Sequence, residues 1–293
     1  MHRRIEMAIT SAQFAPVLIN AAVPQMLRSE GRLDLALRRR GDATVVARSY
    51  QSGCTRIRLP RREAPQELPC AVLINTAGGL AEGDRLHHDI VWGEGTRAIV
   101  TSQAAEKVYR ALSEGSRIDL TLRVEAGAHA EWLPQETILF NGARLTREAK
   151  VILADDVSFL GVEAVVLGRA AMGETMRAGA LTDRLRIWRG GRLIYADALT
   201  LDADIERLMA KAAIGGGASA MAVLVHAAAG APALIDPVRQ ALEGARGHAA
   251  ASTWNGLLAV RFLAPDGETL RHDVAAALSV LRGGAPLPRV WRC

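Results

Sequence analysis

Lysine is almost missing from this chain: of 36 basic residues, three are lysine (Lys107, Lys150, Lys211) and the rest arginine. Coding bias accounts for that skew, and an arginine surface suited to bidentate carboxylate pairing is the sharper reading. Aromatic residues make up only 4%, and no low-complexity tract occurs, which disfavours both disorder and single-strand binding by base stacking. No apolar run reaches the ~18 residues of a bilayer span, so an integral membrane protein is not expected. Cysteine is scarce too. Cys54, Cys70 and Cys293 form no C-x-x-C pair and leave an odd number. Neither a disulfide framework nor a zinc knuckle fits, and a reducing, cytoplasmic compartment does.

The usual catalytic signatures are also absent. The glycine-rich stretch Asn75-Thr76-Ala77-Gly78-Gly79-Leu80-Ala81-Glu82-Gly83-Asp84 has no Gly-Lys-Ser/Thr and the wrong spacing for a dinucleotide loop. It reads as a tight turn between strands, its glycines supplying positive φ. No H-E-x-x-H, G-x-S-x-G or H-x-H occurs. His87 and His88 are adjacent, so in a strand they point to opposite faces and cannot share a metal; a lone strand histidine is more often solvated or hydrogen-bonded.

What the chain does have is 293 residues, a net charge of +5 and 49% hydrophobic residues, enough for a sizeable core. Its basic residues are spread out, with short clusters such as Arg38-Arg39-Arg40 and Arg61-Arg62, so acidic protein partners are favoured over nucleic acid. Arg3 and Arg4 before an apolar stretch resemble an export signal, but Glu6, Pro16 and Asn20 spoil it. Residues 1–30 are therefore expected to be a poorly ordered leader, and 31–293 a single domain.

Period-two alternation dominates the middle of the chain. Ile118, Leu120, Leu122 and Val124 alternate with Asp119, Thr121, Arg123 and Glu125, and Gly190-Gly191 offers a two-residue hairpin turn. Many short strands punctuated by glycine predict an extended antiparallel or solenoid-like β architecture, without a fixed-period repeat. Helices come late: one framed by Asp236 as N-cap, Pro237 and Gly247, and a longer one carrying Leu270, Val274, Ala277, Leu278 and Leu281 before Gly283-Gly284. A weaker third spans Asp204 to Ala213.

Polar residues stand inside apolar strands. Thr101 and Ser102 close Ala98-Ile99-Val100, Glu131 precedes Trp132-Leu133-Pro134, and Glu163 interrupts the run from Phe159 to Leu167. A buried carboxylate must be paired or hydrated. Three readings stay open: structural ion pairing, for instance Glu163 with Arg169; acid–base hydrolysis by Glu131 or Glu136 with Glu163; or a wet polar channel through a β-core.

Several segments resemble the urease accessory proteins of the UreD/UreH type. They are Leu73 through Gly78-Gly79 to Gly83-Asp84; Lys107-Val108-Tyr109-Arg110; Glu131-Trp132-Leu133-Pro134-Gln135-Glu136-Thr137-Ile138; Leu167-Gly168-Arg169 with Met172-Gly173-Glu174; and Leu287-Pro288-Arg289-Val290-Trp291. The likeness runs from about Gly31 to Trp291. Glu82 stands where the family usually has glycine, and Glu106 and Ala111 where serines are common. The resemblance implies a mainly β, β-helical fold with two or three peripheral helices, and a scaffold without turnover of its own. It implies a UreF-type partner, a UreG-type GTPase recruited through it, apo-urease as client and, as one option, a homodimer of the complex. It further implies Ni(II) in transit with no tightly bound cofactor, along a passage that Asp84, Thr101, Ser102, Glu163 and Glu174 match by position. Oxygen ligands hold Ni(II) more loosely than thiolate or imidazole clusters, which suits release. The late helices and the apolar C-terminus are expected to carry the partner surface, unless Trp291 packs on its own domain.

Overall fold

Alternation of apolar and polar side chains carries most of this chain into strands. In a computed structural model, residues 28–62, 64 and 66–292 are described. The expected leader falls mainly on residues 1–27 and so lies outside the described residues. The strands are β1 (Glu30–Arg40), β2 (Ala43–Gly53), β3 (Thr55–Arg58), β4 (Cys70–Asn75), β5 (Arg85–Trp92) and β6 (Arg97–Ser102). They continue with β7 (Glu106–Val108), β8 (Ser116–Val124), β9 (His129–Leu133), β10 (Thr137–Leu139), β11 (Arg144–Leu153) and β12 (Ser158–Leu167). A hairpin of β13 (Ala178–Arg189) and β14 (Arg192–Asp204) leads to helix α1 (Ile205–Met209). Then come β15 (Ala220–Ala227), α2 (Ile235–Leu242), β16 (His248–Trp254), β17 (Leu257–Ala264) and α3 (Gly267–Leu281).

From β4 to β13 the chain winds between two sheets. Strands β5, β8, β11 and β13 run parallel in one, and β4, β6, β9 and β12 run parallel in the other. A short third side is made by β10, parallel to both β7 and β12. This is the mainly-β, solenoid-like fold expected. Antiparallel strands finish both sheets: β2 on β1 and β14 on β13 in the seven-stranded sheet, and β15, β17 and β16 beyond β12 in the ten-stranded one.

β12 shows why parallel strands read as nearly continuous apolar runs. Leu160, Val162 and Val166 face α2 and α3, while Phe159, Val165 and Leu167 face between the sheets. The Gly190-Gly191 hairpin forms as expected, with φ of 54° and 77°. α3 also matches: Asp266 caps it by accepting the Thr269 N–H at 2.7 Å. α2 differs. It begins at Ile235 after a short 3-10 turn, so Asp236 lies in its first turn instead of capping it, and the helix stops at Leu242. The weak third helix shrinks to the five residues of α1, capped by Asp204.

Candidate functional site: a polar rung between two apolar layers

Inward side chains of the two sheets form two apolar groups, one around Trp92, Leu122 and Phe159 and the other around Leu80, Leu139 and Leu181. Between them the rung is polar. It holds Ser102 on β6 and Glu163 on β12, facing Arg147 on β11 and its register partner Asp183 on β13; His88 on β5 lies one step along, level with Leu120 and Ala149. Each obeys its strand's alternation: Arg147 lies between Leu145 and Ala149, one in each apolar group, and His88 likewise between Leu86 and Ile90.

Arg147 joins the two sheets. Its Nη1 lies 2.6 Å from Glu163 Oε2 and donates to Thr137 Oγ1 at 3.2 Å. Its Nε donates to Asp183 Oδ1 at 2.9 Å, and Nη2 donates to the other Asp183 oxygen. Trp132 Nε1 donates to Glu163 Oε1 at 2.7 Å. The Arg147 and Glu163 side chains are only 6% and 8% exposed. Burial pushes the Glu163 carboxyl above its ordinary range; Arg147 pulls it back, and the Asp183 charge adds to the rise.

A cavity of about 270 Å³ opens onto this cluster. Exposed Gly78, Gln103, Ala104 and Lys107 form its rim; Trp132, Arg147 and Glu163 lie at its inner end. Ser102, Asn75, Glu106 and His88 line it between. Desolvation pushes the Glu106 carboxyl up to about 7, against a hydrogen bond from Asn75 Nδ2 at 3.0 Å. Desolvation likewise brings His88 down to about 4, keeping its imidazole neutral, and its buried Nε2 has no hydrogen-bond partner. Beyond Glu163 lies a small void of about 10 Å³, room for about one water, walled by Leu122, Phe159 and Val151. Among the described residues no group of three or more His, Cys, Asp or Glu is placed to hold a metal ion.

Of the five residues matched to a passage, the structure brings Ser102 and Glu163 to this cavity and places three elsewhere. Thr101, one residue from Ser102, faces the opposite side of β6 and donates to the Leu133 carbonyl. Asp84 ties down a turn: its oxygens accept the Ser29 N–H at 2.6 Å and the Ala81 N–H at 2.8 Å. Glu174 pairs at the surface with Arg169 Nε at 2.7 Å, so the pairing suggested for Glu163 with Arg169 is replaced by Glu163–Arg147 and Arg169–Glu174. The carboxylates of the hydrolase reading are not brought together. Glu131 faces outward from β9 to Arg282 (2.8 Å) and His129 (3.2 Å), and Glu136 meets Arg271 at 3.1 Å, both away from the inner face that carries Glu163.

The remaining motif residues are structural neighbours of the rim and the outer face. Tyr109 donates to the Gly78 carbonyl at 3.0 Å and meets Phe140 edge-on, while Arg169 stacks over Phe140 at 4.1 Å. Arg110 packs on Gly142. Gly79 has a φ of 150°, and a Cβ there would sit 2.8 Å from the Lys107 carbonyl, so only glycine lets these segments meet. Gly168 is equally confined, since a Cβ there would sit 2.5 Å from the Glu174 carbonyl, whereas Gly83 lies against Arg28. Trp132 and Pro134 line the cavity; Gln135 lines it too while holding the C-terminus, its Nε2 donating to the Val290 carbonyl at 2.9 Å. Glu82, the departure from the family pattern, accepts the Ser113 hydroxyl and the N–H groups of Leu112, Ser113 and Glu114, which holds its carboxyl down at about 2.

Arg147, Glu106 and His88 as a cavity lining, and Asp183 as the partner of Arg147, were not singled out from sequence. The alternation of β11 carried the signal for Arg147, since Leu145, Ala149, Val151 and Leu153 share its parity.

The sequence matches the family model described as UreD urease accessory protein over residues 29–292. It is 45% identical over 271 residues to a protein of Azorhizobium caulinodans named urease accessory protein UreD, covering 92% of this chain and 99% of that one. It is 46% identical over 276 residues to a protein of the same name from Rhizobium etli (94% and 98% covered). A third, from Xanthobacter autotrophicus, is 46% identical over 266 residues, with 90% of each chain covered.

Proposed function

Because this chain belongs to the UreD family of urease accessory proteins, we propose that it is a maturation scaffold which passes Ni(II), as cargo, towards the active site of apo-urease. In this reading it performs no turnover of its own and holds no tight cofactor. It binds a UreF-type protein and, through it, a UreG-type GTPase; a dimer of that assembly is compatible. The 31–293 region acts as one unit in these contacts, in the cytoplasm.

One observation carries the reading: a cavity lined by carboxylate and hydroxyl oxygens leads from the surface to a buried ionic cluster between two apolar groups. Desolvating such groups is costly unless they serve something. Oxygen donors bind Ni(II) firmly enough to admit it and loosely enough to release it, unlike a set of thiolates. Of the residues proposed for passage, Glu163 and Ser102 are the ones to test, since they line the cavity and Asp84, Thr101 and Glu174 do not.

In a urease-producing host, Glu163→Gln is expected to lower the nickel content of purified urease severalfold while the accessory complex still co-purifies. Full metallation would refute passage and favour a purely structural adaptor, a reading that the Arg147–Glu163–Asp183 ion pairing supports.

A further inference from the structure

Two carboxylates from different sheets converge on one guanidinium at the inner end of the cavity. We infer that the Arg147 side chain is a resident cation, occupying the Glu163–Asp183 pair in place of a divalent ion and so closing the cavity's inner end in the free chain. The inference rests on the reading that Ni(II) travels this way, and adds how the way is shut.

The geometry is that of a filled cation locus. Four contacts from Nε, Nη1 and Nη2 reach Glu163, Thr137 and both oxygens of Asp183. Glu163 lines the cavity, whereas Asp183 does not line it yet keeps 17% of its side-chain surface accessible, so the guanidinium stands between the two carboxylates. With both carboxylates ionised the cluster carries one uncompensated negative charge, and exchange of the guanidinium for a divalent ion would bring it to neutrality. A second observation points to a ligand independently: His88 lines the same cavity with a buried, unpartnered ring nitrogen on a neutral imidazole. Arginine cannot leave such a site by losing its proton, as lysine can. It must swing away as a charged group, so opening requires a change of conformation, and an empty locus is never presented to solvent. A buried ion pair of this kind is weak evidence for stability by itself, which leaves room for a gating role.

The test is equilibrium dialysis of the full chain against Ni(II) alone. Arg147→Met is expected to retain about one Ni(II) per chain at least tenfold more tightly than the wild type, and Arg147→Met/Glu163→Gln to lose that gain. Arg147→Lys keeps the charge but cannot bridge both carboxylates; it should show a smaller gain, and it decides the matter if the methionine variant fails to fold by circular dichroism. A folded variant that takes up no more Ni(II) than the wild type, or a gain that survives Glu163→Gln, overturns the inference. The two readings separate cleanly. No gain with impaired urease metallation by Glu163→Gln removes the plug and keeps the passage; a gain with normal metallation keeps the cation locus and removes the passage.

Discussion

Glu106 and His88 line one cavity, and desolvation drives their proton affinities in opposite directions. The folded-state Glu106 carboxyl, at about 7, binds its proton more tightly than in the unfolded chain. Its contribution is therefore full below the ordinary carboxylate range and is lost as pH rises through 7. His88, at about 4, is the reverse: its contribution is full above about 6.5 and disappears as pH falls through 4. Each shift corresponds to about 3 kcal/mol. Glu106→Gln should accordingly raise the melting temperature at pH 8 and leave it nearly unchanged at pH 5, whereas His88→Gln should flatten the acid limb of the stability profile. Parallel curves for wild type and both variants from pH 4 to 9 would contradict this. At this scale the sequence told only half the story. Glu163 stood out because it interrupts an apolar run, but its partner was sought nearby in the chain. The true partner, Arg147, comes from the facing sheet, and strand register there is set by coils that no local pattern reports. Thr101 and Ser102 make the same point, since adjacent strand residues cannot both face inward.

Among elements, α3 and the C-terminal segment act as one clamp on the W-L-P-Q-E stretch. Arg282 reaches Glu131, Arg271 reaches Gln135 and Glu136, and Trp291 Nε1 donates to the Leu133 carbonyl at 2.9 Å. Trp291 thus packs on its own domain, half-buried under the Arg271 guanidinium. Arg282→Met leaves Glu131 buried and without its guanidinium partner, and should cost about 3–5 kcal/mol; adding Glu131→Gln should recover part of that loss, as read by urea denaturation. A loss below 1 kcal/mol would mean the clamp is decorative. Asp266→Ala, which removes only the cap of α3, should cost about 1 kcal/mol. Elements with strong local chemistry were legible: the diglycine hairpin and the capped α3. α2 was less so, because a 3-10 turn ahead of it moved its start past the residue that looked like a cap.

For the molecule as a whole, the winding order was out of reach of the sequence, though its β-solenoid character was not. Along the coils from β4 to β13 the chain passes from sheet to sheet, and its strands pair in parallel with strands one full coil away, so unequal loops hide any repeat. Such non-local pairing implies slow folding, in milliseconds to seconds or longer. Stopped-flow refolding should show it, and complete recovery within microseconds would speak against the fold. The polar rung carries one more consequence. It splits the oily space between the sheets into two compartments with an ionic seam between them, so the molecule has a built-in fault line. Hydrostatic pressure, which drives solvent into imperfectly filled space, should part the two compartments along that seam before it wets either one.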